Sequence, residues 1–547
     1  MNAIMKPFGE TLREGLARLV VKQARLRWRR AGNCEETQAR QFRFLCSGLA
    51  RSKLGRASGV EESISYERFR DRIPVRNYES FSPYIDRVLK GEADVLWPGR
   101  CDSFAVSSGT TAGRTKYIPV TNAMLKHFRG AGLDSLLFYA ARSGHSDAFA
   151  GRHLFLGGST SLEQVKRGPG MPAAYCGDLS GIAAQHLPLW MERALYEPGR
   201  RIAGMSHWPA KIEAIAEKTL HSDIRMLSGI PSWILILADA ILRRASREGM
   251  RAQCLLDVWP NLKCFVHGGV PICPFKRELA RVLGPGVEFH EVYPASEGFI
   301  AAQDGRADEG LRLMADRGLF FEFVPVEVFR NENLGEMGTA ALPLWGIKAG
   351  CDYVILLSTP AGLFRYLIGD VVRFVSTEIP HLEYTGRTQL QLSAFGEHVI
   401  EKELTDSLSA VAARMSLEIA DFHVAPLFVD ETQGRERGCH EWWLALRGEY
   451  RPDLEYDLIV QLDRELAQRN DDYDAKRKGG GLSLPVLRLV SPILFEDWMK
   501  ERGKWGGQNK TPRCRSDRQI ADALQKKLAV RIQPQPTTEP LVKTMRV

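Results

Sequence analysis

Five short stretches of this chain carry residue types that chemistry on an anion would use. The first, Val106 to Pro119, reads VSSGTTAGRTKYIP. Its glycines let a backbone approach an anion closely, the hydroxyls of Ser107, Ser108, Thr110 and Thr111 can donate to phosphate oxygens, and Lys116 adds positive charge. Phe104 to Val106 precede it and Tyr117 and Ile118 close it, so the stretch reads as a tight loop between two short strands. It is not a Walker A loop, because Gly109 and Gly113 are four positions apart and Arg114 stands where the lysine belongs. Alone, it reads as an ordinary Ser/Thr/Gly hairpin loop before it reads as a phosphate cradle. The second and third stretches, His267-Gly268-Gly269-Val270-Pro271 and Tyr293-Pro294-Ala295-Ser296-Glu297-Gly298, each follow an expected strand. In the fourth, Ile368-Gly369-Asp370 ends an apolar run at a bend, where an aspartate can take ribose hydroxyls or a metal, or merely shape the turn. The fifth, Gly503 to Arg513, sets Lys510 in a glycine-rich tract, a setting that also suits a plain surface charge.

Composition narrows the chemistry. At 547 residues the chain exceeds one compact core, which predicts a large domain and at least one smaller one. With 44% hydrophobic and 26% charged residues it has the balance of a globular protein, and no stretch reaches the roughly 18 apolar residues of a membrane span. The N-terminus lacks the apolar core of a signal peptide, so a cytoplasmic location is expected. Ten cysteines run from Cys34 to Cys514 without a C-x-x-C, which argues against a zinc cage or a disulfide framework and for reduced, mostly buried thiols. Neither H-E-x-x-H nor G-x-S-x-G occurs. The net charge of +8, with Arg25, Arg27, Arg29 and Arg30 near Trp28, is read as a solvated basic face rather than a nucleic-acid surface.

The elements that must hold these stretches can be read in order. Leu12, Leu16, Leu19, Val20 and Leu26 fall near helical spacing, predicting an amphipathic helix over 11–30 that packs this stripe on the main domain. Helices are expected over 41–54 and 78–90, the latter ended by Gly91, and one beginning at Thr121 or Asn122 with Leu125, Phe128, Leu133, Leu136, Leu137 and Tyr139 on its apolar side. The glycine-rich segment 154–181 reads as strand ends and loops; its G-x-G-x-x-A match at Gly168 is set aside because no strand is expected before it and Pro169 and Pro172 break the helix. Expected helices (210–220, 232–244, 275–282) then alternate with strands (264–267, 287–293), which argues for an α/β domain whose sheet is covered by helices and whose ligands collect beyond strand ends. A strand pair follows at 353–357 and 363–367. From Gly386 the pattern changes to strands near 422–429, 441–447 and 485–490 with a helix at 453–468, an α+β domain over 386–532 after a large domain over 1–385, and a proline-rich tail over 533–547 reads as disordered.

Three motifs in order, SSGTTAGRTKYIP from Ser107, YPASEG from Tyr293 and FRYLIGDVV from Phe364, together resemble the acyl acid amido synthetases named Gretchen Hagen 3, auxin-conjugating enzymes with bacterial members in the adenylate-forming superfamily. IPVRNYESF from Ile73, LSGIPSW from Leu227, HGGV from His267 and NKTPR from Asn509 support the resemblance, which covers about residues 40 to 530. It implies a large N-terminal adenylate-forming domain, a smaller mobile α+β C-terminal domain, and an ATP-dependent ligase using Mg²⁺ as cofactor. A carboxylic acid would be adenylated with release of pyrophosphate, and its acyl group passed to an amine, usually of an amino acid. By motif, Ser108, Gly109, Thr110 and Thr111 are assigned to phosphate, Tyr293 to the adenine pocket and Ser296 to a place near the phosphate. Glu297 is assigned to Mg²⁺, Asp370 to the ribose hydroxyls, and Lys510 to the α-phosphate and the attacking carboxylate. Ser107, Lys116, Gly269, Val270 and Arg387 complete the nucleotide-binding set, with Glu297 and Lys510 as the catalytic pair.

The resemblance also points to Gly386 and Arg387 as a hinge and to the helix over Thr121 to Arg142 as part of the acid pocket, where Arg129 is either a partner for a second anionic group or a solvent-facing charge. His398 stands where many members carry lysine, and Gly507-Gln508-Asn509 replaces a longer polar run before Lys510. Two rival readings stand beside the amide-forming one: an adenylate-forming ligase that delivers its acyl group to coenzyme A or another acceptor, and a non-catalytic nucleotide-binding or scaffold protein. The expected partners are small molecules, with neither nucleic acid nor membrane, and a monomer is the default.

Overall fold

A computed structural model describes residues 15, 17–26, 34–107, 116–157, 162–186, 192–193, 195–205, 207–269, 272, 275–329, 334–388, 392, 394–395, 397, 399–428, 438–448, 451, 454–478, 482–502, 510–515 and 517–532. The described residues up to Thr388 form one compact unit and those from Leu392 onward a second.

In the first unit, helix α1 (Cys34–Arg51) buries Phe42, Leu45, Cys46 and Leu49, the spacing of one helical face. Helix α2 (Tyr78–Leu89) starts where Asn77 accepts the Ser80 amide at 3.0 Å, and it ends before Gly91, whose φ of +91° suits glycine. Strands β1 (Ser103–Ser107) and β2 (Lys116–Pro119) pair antiparallel, with Ser107 opposite Lys116. Helix α3 (Asn122–Ser143) follows at once, capped by Thr121, which accepts the Met124 amide at 3.2 Å. Strand β3 (Arg152–Leu156) comes next, then the short β4 (Glu163–Val165), β5 (Ala174–Gly177) and β6 (Tyr196–Glu197).

Alternation then sets in: α4 (Trp208–Thr219), β7 (Ile224–Gly229), α5 (Pro231–Arg247), β8 (Cys264–Gly268), α6 (Lys276–Leu283) and β9 (Glu288–Ala295). After β9 the chain meanders through β10 (Gly298–Ala302), β11 (Leu311–Leu313), β12 (Phe320–Pro325), β13 (Leu342–Pro343), β14 (Asp352–Ser358), β15 (Tyr366–Ser376) and β16 (His381–Arg387). These strands form a twelve-stranded sheet in the order β13-β12-β14-β15-β16-β11-β10-β9-β8-β7-β3-β6. From β6 to β9 all pairs are parallel, covered by helices as crossover connections require; from β9 to β13 all are antiparallel. Strand β9 is the seam. Leu227, Ile234, Leu237, Ile241, Phe265 and Leu279 centre the parallel half's core, and Phe42, Phe69, Phe320, Phe323 and Phe364 that of the antiparallel half.

Several expectations are corrected. In the N-terminal helical segment, Leu19, Val20 and Leu26 are exposed, whereas Val21 and Ala24 are buried against Leu137 and Ala140 of α3. The surface of Leu137, Ala140, Ala141 and Phe149 decides which face packs, and it is not the face richest in leucine. Leu12 and Leu16 lie outside the described residues. Leu133 is likewise exposed. A short strand, β4, does precede Gly168, although no helix follows directly. The strand expected over 363–367 begins at Tyr366 and runs on to Ser376, so Asp370 sits inside a strand and not at a bend after one. Gly386 and Arg387 are paired residues of β16, because β15 continues past Asp370 and needs a partner there.

In the second unit, β17 (Glu418–Leu427) and β18 (Cys439–Arg447) pair antiparallel, and β19 (Val486–Val490) joins β18 in parallel. Helices α7 (Glu401–Met415) and α8 (Leu454–Arg469) enclose one core around Trp442 and Leu462. Helices α9 (Pro492–Glu501) and α10 (Gln519–Ile532) enclose another around Trp443 and Phe495. The nine described cysteines are free thiols, six of them buried. No helix among the described residues is long and apolar enough to cross a membrane.

Candidate active site

Three of the singled-out residues meet directly at the seam. The Tyr293 hydroxyl donates to Asp370 Oδ2 at 2.5 Å, and Arg387 Nε donates to Asp370 Oδ1 at 2.5 Å. Local structure explains why. Between paired positions, β14 advances from Leu356 to Val354 while β15 advances from Leu367 to Val371, so β15 carries a bulge around Gly369, whose φ of +83° an L side chain rarely adopts. The bulge leaves Asp370 facing Arg387 across the β15–β16 pair, and β9, the seam strand, supplies Tyr293. Each carboxylate oxygen has a second lone pair beyond these bonds, so Asp370 keeps acceptor capacity for a hydroxyl. The Tyr293 ring stands edge-on to Tyr384 at 5.6 Å.

Ser296 and Glu297 are the two turn residues of the β9–β10 hairpin, closed by Ala295 opposite Gly298. Glu297 is 9% exposed. Burial raises its carboxyl pKa; the positive charges of Lys116 and Arg387 work against that shift, and Asp370 adds to it. Lys116, at the start of β2, lies with its ammonium 5.6 Å from the Tyr78 ring centre, and the Tyr78 hydroxyl accepts the Tyr117 amide at 2.8 Å. Thus two carboxylates and two cations from three strands and one hairpin turn influence one another. Among the described residues no other side chain bonds to the Glu297 carboxylate. A buried carboxylate with open bonding capacity beside a strand loop suits Mg²⁺, which takes one or two protein carboxylates and fills its shell with phosphate oxygens and water. No group of three or more His, Cys, Asp or Glu side chains that could hold a metal exists among the described residues.

The remaining residues of the set divide. Ser107 ends β1 opposite Lys116, and Gly269 is exposed just beyond β8 at φ +77°. Ser108, Gly109, Thr110, Thr111 and Val270 lie outside the described residues, as does His398. Lys510 is an exposed residue of the second unit. Arg129 is exposed and donates to the His186 carbonyl at 2.7 Å.

Two features escaped the sequence. Arg365 is 1% exposed, with a left-handed φ of +49°; it bonds both Glu322 oxygens at 3.0 and 3.1 Å and the carbonyls of Arg70, Ile73 and Gly338. This anchors the chain just before Tyr366. An arginine inside the apolar run Leu363 to Leu367 was the available signal. His127, 3% exposed on α3, bonds the backbone on both sides of its ring. A histidine on a helix carries no such signal in sequence.

A half-parallel, half-antiparallel sheet with acidic and basic residues gathered at its seam, followed by an α+β unit, defines an adenylate-forming ligase fold. Among solved structures the chain is similar to the GH3.15 acyl acid amido synthetase, with a TM-score of 0.72 at 18% identity over 90% of this chain and 94% of that one. It is also similar to 2-hydroxyisobutyryl-CoA ligase in the postadenylation state, with a TM-score of 0.55 at 13% identity over 91% and 93%. In sequence it is 24% identical to jasmonoyl–L-amino acid synthetase JAR6 of Nicotiana attenuata, over 83% of this chain and 87% of the relative. It is 24% identical to indole-3-acetic acid-amido synthetase GH3.10 of Arabidopsis thaliana, over 83% and 87%. Family models match residues 29–287 as the GH3 family N-terminal domain, 312–387 as its central domain and 401–519 as its C-terminal domain. The chain belongs to the GH3 family.

Proposed function

We propose that this chain activates a carboxylic acid with ATP and transfers the acyl group to the amine of an amino acid. It is an ATP-dependent ligase of the acyl acid amido synthetase kind. In the first step a carboxylate oxygen attacks the α-phosphorus, the bond to pyrophosphate breaks, and an acyl adenylate forms. In the second the amine attacks the acyl carbon, the bond to AMP breaks, and the amide forms as the amine loses a proton.

Both partners of the first step are anionic, so its barrier is largely repulsion and misorientation. Lys116 supplies positive charge at the phosphates. Asp370, held by Tyr293 and Arg387 in a fixed direction, accepts the ribose hydroxyls. Glu297 holds Mg²⁺, which when bound neutralises phosphate charge. Ser107, Ser108, Gly109, Thr110 and Thr111 cradle phosphate, Gly269, Val270 and Ser296 line the nucleotide, and Lys510 supplies a cation to the α-phosphate. The single observation that carries this reading is the convergence of Tyr293, Glu297, Asp370, Arg387 and Lys116 at the seam.

The test is ATP–pyrophosphate exchange with Mg²⁺ over indole, benzoic, jasmonate-like, fatty and amino acids. Exchange stimulated by one class of acid is expected, and mass spectrometry with amino acids or coenzyme A then identifies the acceptor. Absence of exchange together with failure to bind ATP would overturn the reading.

A further inference from the structure

We propose that His127 is a positioning residue for the Ser296–Glu297 turn, tying the helix after the phosphate-type loop to the carboxylate assigned to Mg²⁺. Its imidazole Nε2 accepts the Phe299 amide at 2.8 Å and its Nδ1–H donates to the Arg317 carbonyl at 2.5 Å. These two bonds define one neutral tautomer, with the acceptor on the hairpin side.

The ladder explains why a side chain is needed there. The β9–β10 register shifts between Phe299 and Ala301, which interrupts strand pairing two paired positions after the turn, at Phe299. An amide at such a break must find an acceptor elsewhere, and His127 provides it from α3. The Arg317 carbonyl, which holds the other side of the ring, precedes β12, and Arg317 itself bonds Asp134 one helical stretch further along α3. Space is tight: a Cβ at Gly298 would come within 2.7 Å of Leu319 Cδ1. Leu319 and His127 thus both lie close against the residue that ends the turn. Because α3 follows β2 with only Val120 and Thr121 between, the same contact sets Glu297 relative to Lys116.

The inference rests on Glu297 holding Mg²⁺, and the experiment separates the two. ATP affinity, with and without Mg²⁺, and AMP affinity are measured by calorimetry for the native chain, His127→Gln and His127→Asn. The glutamine amide reaches the Nε2 position and can accept the Phe299 amide; the asparagine amide reaches only the Nδ1 position and keeps the Arg317 bond. Supports of a metal ligand are worth about 10- to 100-fold in metal affinity. On that scale His127→Asn should lose at least about tenfold of the Mg²⁺-dependent gain in ATP affinity. AMP binding should change less than twofold, and His127→Gln should retain most of the gain. Equal Mg²⁺ gains in all three proteins, or parallel loss of AMP and ATP binding, would overturn the positioning role. A native chain whose ATP affinity ignores Mg²⁺ would instead overturn the assignment of Glu297, and this inference with it.

Discussion

Two buried glutamates of the first unit are treated oppositely. Glu322, 1% exposed, is paired: Arg365 Nε donates to both oxygens, and the Tyr66 hydroxyl donates to Oε1 at 2.9 Å. Glu297, 9% exposed, has cations near it but no side-chain donor bonded to it among the described residues, and burial drives its pKa up. The difference separates scaffold from site. A buried charge held by an ion pair and a further side-chain donor belongs to the fold, whereas one left short of side-chain partners has capacity that a ligand can use.

The sharpest way to break the comparison is at the paired end. Glu322→Gln leaves Arg365 charged and buried, and stability measured in urea should fall by about 3–5 kcal/mol. A loss below about 1 kcal/mol would remove Glu322 from the scaffold class, since that is the range of exposed pairs. At the site, Lys116→Ala should lower pyrophosphate exchange by about 10²–10³ with little change in unfolding, because a well-placed cation acts on the transition state.

Much of this contrast was legible in the chain, and the rest was not for physical reasons. The strand-loop-strand around Ser107 to Lys116, the α/β alternation and the second α+β unit follow from apolar period and turn residues, which are local. Tyr293 and Asp370 could be named from their motifs, but their hydrogen bond depends on a bulge at Gly369 and on a sheet that changes direction at β9. Both are set by pairing between residues far apart. Arg365 with Glu322 and His127 with Phe299 are of the same kind: each partner is unremarkable until the fold joins them. The misjudged face of the N-terminal helix is of the same kind, since counting leucines does not show which residues of α3 the helix meets.

A smaller effect sharpens the comparison outside the site. His381 and Asp304 pair at 2.8 Å. Burial would lower the His381 pKa, but the hydrogen bond and charge of Asp304 outweigh it and raise it above 6.5. Burial would raise the Asp304 pKa, but His381 and Arg312 lower it below 3.8. The histidine's contribution is thus fully present below pH 6.5 and is lost as pH rises through its raised value, while the aspartate's is lost only in strong acid. The melting-temperature gap between the native chain and His381→Gln should therefore narrow from pH 6 to pH 9; a constant gap would contradict a charged pair.

The most direct test of the central claim concerns Glu297 itself. Because burial raises its folded pKa, the ionised carboxylate opposes folding at neutral pH, and Glu297→Gln should leave the ligand-free chain at least as stable as the native one. Melting is measured for both proteins with and without ATP and Mg²⁺. The account predicts a variant at least as stable as the native chain when ligand-free, and a Mg²⁺-dependent rise with ATP in the native chain that the variant lacks. A variant that melts lower and still gains the same rise with ATP and Mg²⁺ would make Glu297 part of the scaffold and contradict the account.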